Sequence, residues 1–466
     1  MKLREIYRYT GVLYGANIAT SFVTFLVTVL ITRHISRSEF GMYGVFQAYF
    51  LLFAYTAGLG VSQTTVQFVA GRRLPLAQLH SLVGAALLLI SVFCITGALL
   101  LLYLGDRLAG LALLGVPAYQ LYEAALSYAR GKVKRQREAG ILLLSSSLTS
   151  LFIVIMTLHY RDDRGPIYGQ LCGVYVTAIL LLAGFFFGRP HRFGPVRFAA
   201  VRKFNRIAGP VYVAAALFAI AESFDRFVVH RYLGFAVVGE YVFALTFLNI
   251  VNKPISLLSR VLLSHFSMAE VPGDAGTEHA AFEDIIRLNL FLIPTFSLVV
   301  AGALPSALGL FLTKNYSLSF SLFAVISIIV VLKSVELVNS SLLIAKRTPM
   351  TNVYTQLLTV AVYLPVVLLF AQKFGVFGVA AAVVLRWSVM SAAQAVQMRR
   401  LGMPTGASLL VRSLVSYTAS LLLFRVAPWL MFPMYLGLGF ALQLWTVKDI
   451  ERVLALARPP RLLGKP

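Results

Sequence analysis

The sequence predicts an all-α polytopic membrane protein with about fourteen transmembrane helices. They form two parallel six-helix lobes followed by two C-terminal helices. Three observations predict this fold: the composition, the spacing of apolar runs and an internal repeat. Apolar residues make up 59% of the 466-residue chain and charged residues only 13%, and the mean hydropathy is +0.82. A soluble domain of this length could not solvate so apolar a surface, so the chain belongs in a membrane.

Apolar runs of membrane-spanning length recur along the whole chain. A helix needs about 20 such residues to cross the hydrocarbon core. The first run is too long for a signal peptide and is expected to remain as the first helix. No connection exceeds about 20 residues, which excludes a separate folded domain outside the membrane. The fourteen runs lie near 11–33, 41–70, 80–104, 108–130, 139–160, 165–188, 208–233, 237–265, 284–313, 317–345, 350–372, 375–398, 405–425 and 428–447.

A forty-residue stretch near the start recurs without gaps 198 positions later. Both copies have a basic segment, a long apolar run, a short turn containing arginine, and Gly-x-Tyr opening a second run. The identical pairs are Arg4 and Arg202, Arg8 and Arg206, Gly11 and Gly209, Tyr14 and Tyr212, Ala16 and Ala214, Arg33 and Arg231, Gly41 and Gly239, and Tyr43 and Tyr241. A repeat of this kind in a membrane protein is typical of two related lobes around a central path.

Six runs separate the two copies, so both copies enter the membrane from the same side. The lobes are therefore expected to be parallel repeats about an axis along the membrane normal. We predict an N-terminal lobe with its linker at 1–207 and a C-terminal lobe at 208–402. The remaining segment, 403–466, supplies the last two runs and a basic cytoplasmic tail.

The net charge of +23 is distributed unevenly across the membrane. With the N-terminus in the cytoplasm, cytoplasmic segments hold 25 Lys and Arg residues and the opposite face holds nine. Positively charged loops resist translocation, so this bias predicts the orientation and places both termini in the cytoplasm. It also accounts for most of the basic charge, so nucleic acid is not an expected partner. Histidines without metal spacing and two cysteines inside apolar runs give no sign of a metal or a disulfide.

The end of the first run and the start of the second carry a resemblance to a known family. The residues are Ile31-Thr-Arg33-His-Ile-Ser-Arg-Ser-Glu39-Phe-Gly41-Met-Tyr43, followed by an apolar run and Gly58-Leu-Gly60. This pattern resembles the opening of the polysaccharide transporter family, the Wzx-type lipid-linked oligosaccharide flippases of the MOP superfamily. The superfamily also holds the MATE drug exporters and the lipid II flippases.

The resemblance implies a two-lobed, V-shaped bundle that alternates access between the two faces of the bacterial cytoplasmic membrane. Its implied cargo is an undecaprenyl-pyrophosphate-linked oligosaccharide for surface polysaccharide such as O-antigen, capsule or exopolysaccharide. Membrane lipids, a polysaccharide polymerase and chain-length machinery are the implied partners, and no cofactor is expected. The resemblance does not identify the glycan.

Charged residues inside the apolar runs are the candidates for function. An ionised side chain at a helix centre costs about 2.5–3.5 kcal/mol on insertion scales, so each one requires a reason. Long side chains near helix ends reach the interface, which is the better interpretation of Arg287 and Arg412. The basic residues are Arg226, Lys253, Arg260, Arg287, Lys333, Arg386 and Arg412, and the acidic ones are Glu123, Glu222, Asp225 and Glu336.

The run at 237–265 presents a polar stripe at helical spacing. Its members step by three or four residues and are Thr246, Asn249, Lys253, Ser256, Arg260 and Ser264. Lys253 and Arg260 lie two turns apart, about 10 Å along the axis. Arginine offers a bidentate fork to phosphate oxygens and lysine a mobile point charge. The stripe predicts a cationic cavity that binds the pyrophosphate. Arg226, Lys333 and Arg386 are expected to extend this cavity. The alternative is that the stripe is structural, its polar groups being hydrogen-bonded by neighbouring helices.

The acidic residues are interpreted mainly through their spacing to bases. Glu222 and Arg226 are spaced i, i+4 with Asp225 adjacent, and Lys333 and Glu336 are spaced i, i+3, so both sets can pair. These carboxylates have either a structural role or one in gating or ion coupling. Glu123 shares a helix face with tyrosine hydroxyls, a combination suited to sugar binding but equally explained by interior packing.

Two other functions compete with a flippase. A MATE-like cation or drug antiporter needs acidic excess in its path, whereas the first run is uncharged between Gly11 and Thr32 and the intramembrane balance is basic. An enzyme such as a membrane glycosyltransferase, polymerase or ligase needs a sizeable external loop carrying acid–base groups. The external connections, such as 161–165 and 314–317, are too short to build one. An enzyme is therefore not expected.

Reporter fusions test the predicted topology. Fusions after Lys134 and Arg197 are expected to score as cytoplasmic, and those after Arg37 and Asp163 as external, because the positive-inside bias sets the orientation. A cytoplasmic result at Arg37 would overturn this topology.

Overall fold

The computed structural model describes residues 3–71, 74–132, 134–188, 194–268, 275–311, 317–345, 349–400, 402–403, 405–423 and 426–445. Within these ranges, the structure describes only the backbone of residues 3–14, 135, 185–188, 253–268, 275–281, 304–311, 317, 341, 344–345, 349 and 428. The described regular structure is helical throughout, and each of the fourteen predicted runs coincides with helix. The prediction of an all-α polytopic membrane protein is confirmed.

The first half of the chain contains α1 to α7. They span Leu3–His34, Arg37–Ala57, Val61–Ala70, Leu76–Tyr103, Arg107–Gly131, Arg135–Tyr160 and Arg164–Gly188. The second half contains α8 to α13, which span Phe198–Leu233, Phe235–Met268, Ala275–Phe311, Ser317–Ile326, Ile328–Ala345 and Pro349–Arg400. The chain continues into α14 at Ala407–Leu421, a 3₁₀ turn at Pro428–Leu430 and α15 at Met431–Ala441. We refer to α1–α7 as the N-terminal half and to α8–α13 as the C-terminal half.

Three breaks explain why the helix count differs from the run count. The second run is bent by 50° between α2 and α3, where Gly60 takes a left-handed φ of +67° that glycine adopts without steric cost. Ser327 interrupts the tenth run between α11 and α12. Gly375 breaks α13, with φ +59°, into the eleventh and twelfth runs.

Nine helices within the described ranges are long and apolar enough to cross a bilayer, or ten when the bent pair α2 and α3 counts as one crossing. The long helix α13 is counted once although it contains two predicted runs. The number of membrane crossings is therefore larger than the number of these helices. The last two runs form the shorter helices α14 and α15, of 15 and 11 residues.

The two copies of the repeat pack against each other where α2 and α9 begin. A Cβ added to Gly41 would lie 1.8 Å from the backbone oxygen of Phe235, and one added to Gly239 would lie 2.3 Å from that of Arg37. Positions 37 and 235 are also 198 residues apart, so the contact is reciprocal. Only glycine leaves room for the two backbones to approach this closely.

The tyrosine two residues after each glycine points back into its own half. Tyr43 donates a hydrogen bond to Gln170 of α7 at 2.8 Å, and Tyr241 donates to Asp225 of α8 at 2.6 Å. The repeated Gly-x-Tyr therefore has two structural roles in each copy. Its glycine allows contact between the halves, and its tyrosine ties the helix to its own bundle.

A salt bridge joins the halves beside the glycine contact. Arg37 of α2 lies 3.0 Å from Glu240 of α9, and Glu240 also accepts a hydrogen bond from the backbone N–H of Ser319 at 3.2 Å. A second contact between the halves lies at the junction of α2 and α3. There a Cβ on Gly60 would lie 2.8 Å from the backbone oxygen of Ala208. The halves therefore touch near the start of α2 and again just after its end.

Replacing Gly41 by alanine is expected to lower the thermal unfolding midpoint of the purified protein in detergent. The added methyl cannot fit against backbone atoms, and overpacking typically costs about 1–3 kcal/mol. Gly84→Ala is the matched control, because a Cβ at Gly84 has no heavy atom within 4 Å. Equal midpoints for the two variants would contradict the close contact.

Candidate functional site

Ionisable and aromatic side chains converge inside the C-terminal half, between α8, α9, α12 and the two arms of α13. We call this set the charged cluster. Its members lie on four different helices and are buried or half-buried. They are Glu222, Asp225, Arg226, Tyr241, Lys333, Glu336, Tyr363, Arg386, Trp387 and Gln394. Six of the nine residues predicted for the site, Arg386 among them, therefore lie in this one cluster.

Arg386 is the most buried base of the charged cluster, with 3% of its side chain exposed. Its Nη1 donates to the backbone oxygen of Ala221 at 2.5 Å, and its Nη2 forms a salt bridge with Glu222. The guanidinium carbon lies 5.4 Å from the centre of the Tyr363 ring. The predicted pairing of Glu222 with Arg226 is therefore wrong. Glu222 reaches across to α13 because that arm packs directly on α8.

Asp225 is held by two donors from nearby in the chain. Tyr241 donates to its Oδ2, and the backbone N–H of Arg226 donates to its Oδ1 at 2.7 Å. Arg226 itself is half-buried, and its Nε has no hydrogen-bond partner among the described groups. Its guanidinium forms no salt bridge with a described carboxylate, although Asp225 and Glu222 lie close enough to attract it electrostatically.

Lys333 lies over an aromatic ring instead of pairing with Glu336. Its ammonium nitrogen is 4.2 Å from the centre of the Trp387 ring, a cation–π contact that stabilises the charge without neutralising it. Glu336 instead accepts a hydrogen bond from Gln394 of α13 at 2.9 Å. The predicted i, i+3 pair is wrong because both side chains find better-placed partners on the next helix.

These contacts divide the bases of the charged cluster into two kinds. Arg386 is committed to Glu222 and to a backbone carbonyl. Arg226 and Lys333 form no salt bridge with any carboxylate that the structure describes. An anion entering the site could bind these two cations without displacing a carboxylate, and Arg386 would hold the surrounding helices in position.

Three other groups of predicted residues lie elsewhere. Lys253 and Arg260 are in the helical backbone of α9, but their side chains are outside the described residues. Glu123 belongs to the N-terminal half, where it lies 3.7 Å from Arg130 and where the Tyr119 hydroxyl donates to it at 3.4 Å. Arg287 and Arg412 donate to the backbone oxygens of Leu444 and Leu442, respectively.

A cavity of about 400 Å³ is lined mainly by the N-terminal half, with Val242 and Thr246 of α9 completing its wall. We call it the hydroxyl cavity. Its described lining carries hydroxyl, amide, aromatic and aliphatic side chains but no charge. The polar members are Asn17, Thr20, Thr24, Thr28, Tyr43, Gln47, Tyr119, Tyr122, Ser145, Ser146, Thr149, Ser150, Gln170 and Thr246. The hydroxyls of Thr20, Thr24 and Thr28 are spaced four residues apart in α1, a pattern visible in the sequence. They were not predicted as site residues because they are uncharged.

No group of three or more His, Cys, Asp and Glu residues in the described part of the chain is placed to hold a metal ion. The carboxylates of the charged cluster are each matched by an arginine, a tyrosine or a glutamine.

Comparison with known proteins gives one family and several solved structures. A family model described as "Polysaccharide biosynthesis protein" matches residues 6–269. None of the curated proteins compared with the chain matches it. A structure of the lipid II flippase MurJ in an inward closed conformation aligns with a TM-score of 0.72 and 13% identity, covering 95% of this chain and 99% of that one.

Two further structures share the fold. A multidrug resistance MATE family transporter of the MOP superfamily, in an inward-facing conformation, has a TM-score of 0.66 at 15% identity, covering 84% of this chain and 98% of that one. A MOP superfamily transporter from Pyrococcus furiosus has a TM-score of 0.59 at 14% identity, covering 90% and 97%. At these identities the likeness shows the fold alone, and this chain has the fold that these transporters share.

A double-mutant cycle tests the Glu222–Arg386 pair. Removing one partner strands a buried charge and is expected to cost about 3–5 kcal/mol. Each single alanine variant should therefore lower the unfolding midpoint in detergent, and Glu222→Ala with Arg386→Ala should lower it by less than the sum. Glu222→Ala with Arg226→Ala is the control and is expected to show the weaker coupling. Additive effects at 222 and 386 would contradict the pair.

Proposed function

Since this chain belongs to the polysaccharide biosynthesis protein family, we propose that it is a flippase for a lipid-linked saccharide. The cargo is an undecaprenyl-pyrophosphate-linked oligosaccharide, moved outward across the bacterial cytoplasmic membrane by alternating access. The product serves surface polysaccharide synthesis, such as O-antigen, capsule or exopolysaccharide. The observation that carries the proposal is that two cations, Arg226 and Lys333, form no salt bridge with a described carboxylate inside a transporter of this family.

The chemistry of the cargo explains why cations are needed. A pyrophosphate group is anionic and strongly hydrated, so moving it through hydrocarbon without compensation is prohibitive. Lys333 supplies a point charge and Arg226 a planar fork for phosphate oxygens. Lys253 and Arg260 extend this proposed anion site along α9, on the evidence of their shared helix face.

The internal repeat supports the transport mechanism. The proposed lobes, 1–207 and 208–402, would rock against each other about the axis that relates the two copies. The contact of Gly41 with Gly239 and the Arg37–Glu240 salt bridge close one end, which the positive-inside bias assigns to the external face. Opening of that end requires both contacts to separate. In this scheme Glu222, Asp225, Glu336 and Glu123 are candidates for gating or ion coupling.

A MATE-like cation or drug antiporter is the alternative that shares the fold. Such a protein requires a carboxylate left open to a cation, whereas the described carboxylates of the charged cluster have arginine, tyrosine or glutamine partners. The flippase is therefore favoured. The proposal also places both termini in the cytoplasm and makes a polysaccharide polymerase and chain-length machinery the expected partner proteins.

Deletion of the gene is the direct test in cells. The deletion strain is expected to accumulate lipid-linked saccharide and to lose a surface polymer, while its susceptibility to cationic drugs stays unchanged. Increased drug susceptibility with normal surface polymer would instead support the antiporter.

Neutralising the two cations is expected to abolish rescue of the deletion strain. Arg226→Gln with Lys333→Gln removes two charged donors, each worth about 1.5–3 kcal/mol to a bound anion, so polymer export should fall about tenfold or more. Lys253→Ala with Arg260→Ala is expected to have the same effect. The control is Lys373→Gln, at an exposed lysine near the break in α13. Normal export by both double variants, at normal protein levels in the membrane, would contradict the anion site.

A further inference from the structure

We propose that the hydroxyl cavity of the N-terminal half is the binding site for the uncharged sugar residues of the cargo. This inference rests on the proposed function and adds a division of labour to it. The N-terminal half binds the glycan, and the C-terminal half binds the pyrophosphate. The cavity volume of about 400 Å³ falls within the range of about 300–1,000 Å³ that small-ligand sites occupy.

The wall formed by α6 offers hydroxyls that the protein itself does not use. Ser145, Ser146, Thr149 and Ser150 line the cavity and are half-buried. Their hydroxyls make no hydrogen bond to another described group. These hydroxyls are accessible from the cavity rather than fully buried, so they are available to hydrogen-bond a ligand or water there.

The wall formed by α1 differs in how its hydroxyls are bonded. Thr24 and Thr28 each donate to the backbone oxygen four residues earlier, at 2.7 and 2.9 Å. Their oxygens keep lone pairs that can accept hydrogen bonds from a ligand. The α1 wall therefore presents acceptors, and the α6 wall presents hydroxyls free to donate. A sugar hydroxyl, which both donates and accepts, matches this combination.

An amide and several rings complete the lining. Gln170 accepts from Tyr43 through its Oε1, which leaves its amide N–H groups as donors. The rings of Phe50 and Tyr119 lie edge to face, with centroids 5.5 Å apart, and Tyr122 lies beside them with its centroid 5.8 Å from that of Tyr119. Aromatic faces with polar groups between them suit sugar rings, which have apolar C–H faces and polar edges.

The absence of charge among the described lining residues argues against phosphate in the hydroxyl cavity. An anion there would be desolvated without a cation to compensate it. The same lining, however, includes Thr246 of α9. Lys253 follows seven residues later on the same helix face, about 10 Å further along the axis. A sugar in the cavity would therefore leave its pyrophosphate directed toward the proposed anion site.

Two neighbouring serines on α6 provide a matched pair of variants. Ser146 lines the cavity, whereas Ser147 is exposed on the outside of the helix. The probes are the oligosaccharide released by mild acid from the lipid-linked saccharide of the deletion strain, and inorganic pyrophosphate. Their affinities are measured by isothermal titration with the full chain in lipid nanodiscs.

Ser146→Leu fills the cavity and is expected to weaken oligosaccharide binding about tenfold or more while leaving pyrophosphate binding unchanged. Ser147→Leu is expected to leave both affinities unchanged. Oligosaccharide binding by Ser146→Leu that equals the wild type would overturn the inference. A wild-type protein that binds pyrophosphate but no oligosaccharide would also overturn it, and would leave the proposed function standing.

A labelling experiment gives an answer that does not depend on how well Ser146→Leu folds. Ser146→Cys is introduced with Cys94→Ala and Cys172→Ala and treated with a water-soluble maleimide. The oligosaccharide is expected to slow labelling at 146 and pyrophosphate to leave it unchanged. Equal rates with and without oligosaccharide would overturn the inference. Failure of the proposed function is a different result, in which the deletion strain accumulates no lipid-linked saccharide.

Discussion

The placement of charge inside the membrane is the constraint on which the C-terminal half depends. Each ionised group there requires an opposite charge, hydrogen-bond donors or an aromatic face, because the hydrocarbon supplies none of these. Arg386 meets this requirement for Glu222, and in doing so it fixes the second arm of α13 against α8. Asp225 and Glu336 bind a tyrosine and a glutamine on adjacent helices. The bundle is thus cross-linked through its polar groups, while Arg226 and Lys333 form no salt bridge with a described carboxylate and are the cations proposed to bind the cargo.

The internal repeat uses one sequence pattern for two packing roles. Gly41 and Gly239 bring the two halves into backbone contact, and Tyr43 and Tyr241 anchor the same helices to separate bundles. Aromatic side chains also meet across this contact, Tyr49 with Phe227 and Phe40 with Phe243, so the proposed opening would separate these rings as well. The Arg37–Glu240 salt bridge adds a polar contact that water can replace when the halves part.

Much of the fold could be predicted from the sequence because bilayer thickness sets helix length. The fourteen runs coincide with helix, and the breaks fall at Gly60, Ser327 and Gly375, where a left-handed glycine or a short turn ends a helix. The polar contacts were harder to predict. Spacing suggested Arg226 for Glu222, but the actual partner, Arg386, is 164 residues away. Of the hydroxyl cavity, the sequence analysis singled out only the tyrosines beside Glu123 and Thr246 of the polar stripe, because the neutral hydroxyls of α1 and α6 look like ordinary packing residues until several helices bring them together.

Transport in a purified system tests the central claim most directly. Liposomes are prepared with the lipid-linked saccharide of the deletion strain, with and without the full chain, and a sugar-binding lectin added outside reports saccharide in the outer leaflet. The account predicts that the protein moves inner-leaflet saccharide into reach of the lectin, and that the Arg226→Gln, Lys333→Gln variant does not. Equal exposure in protein-free liposomes and proteoliposomes would contradict it.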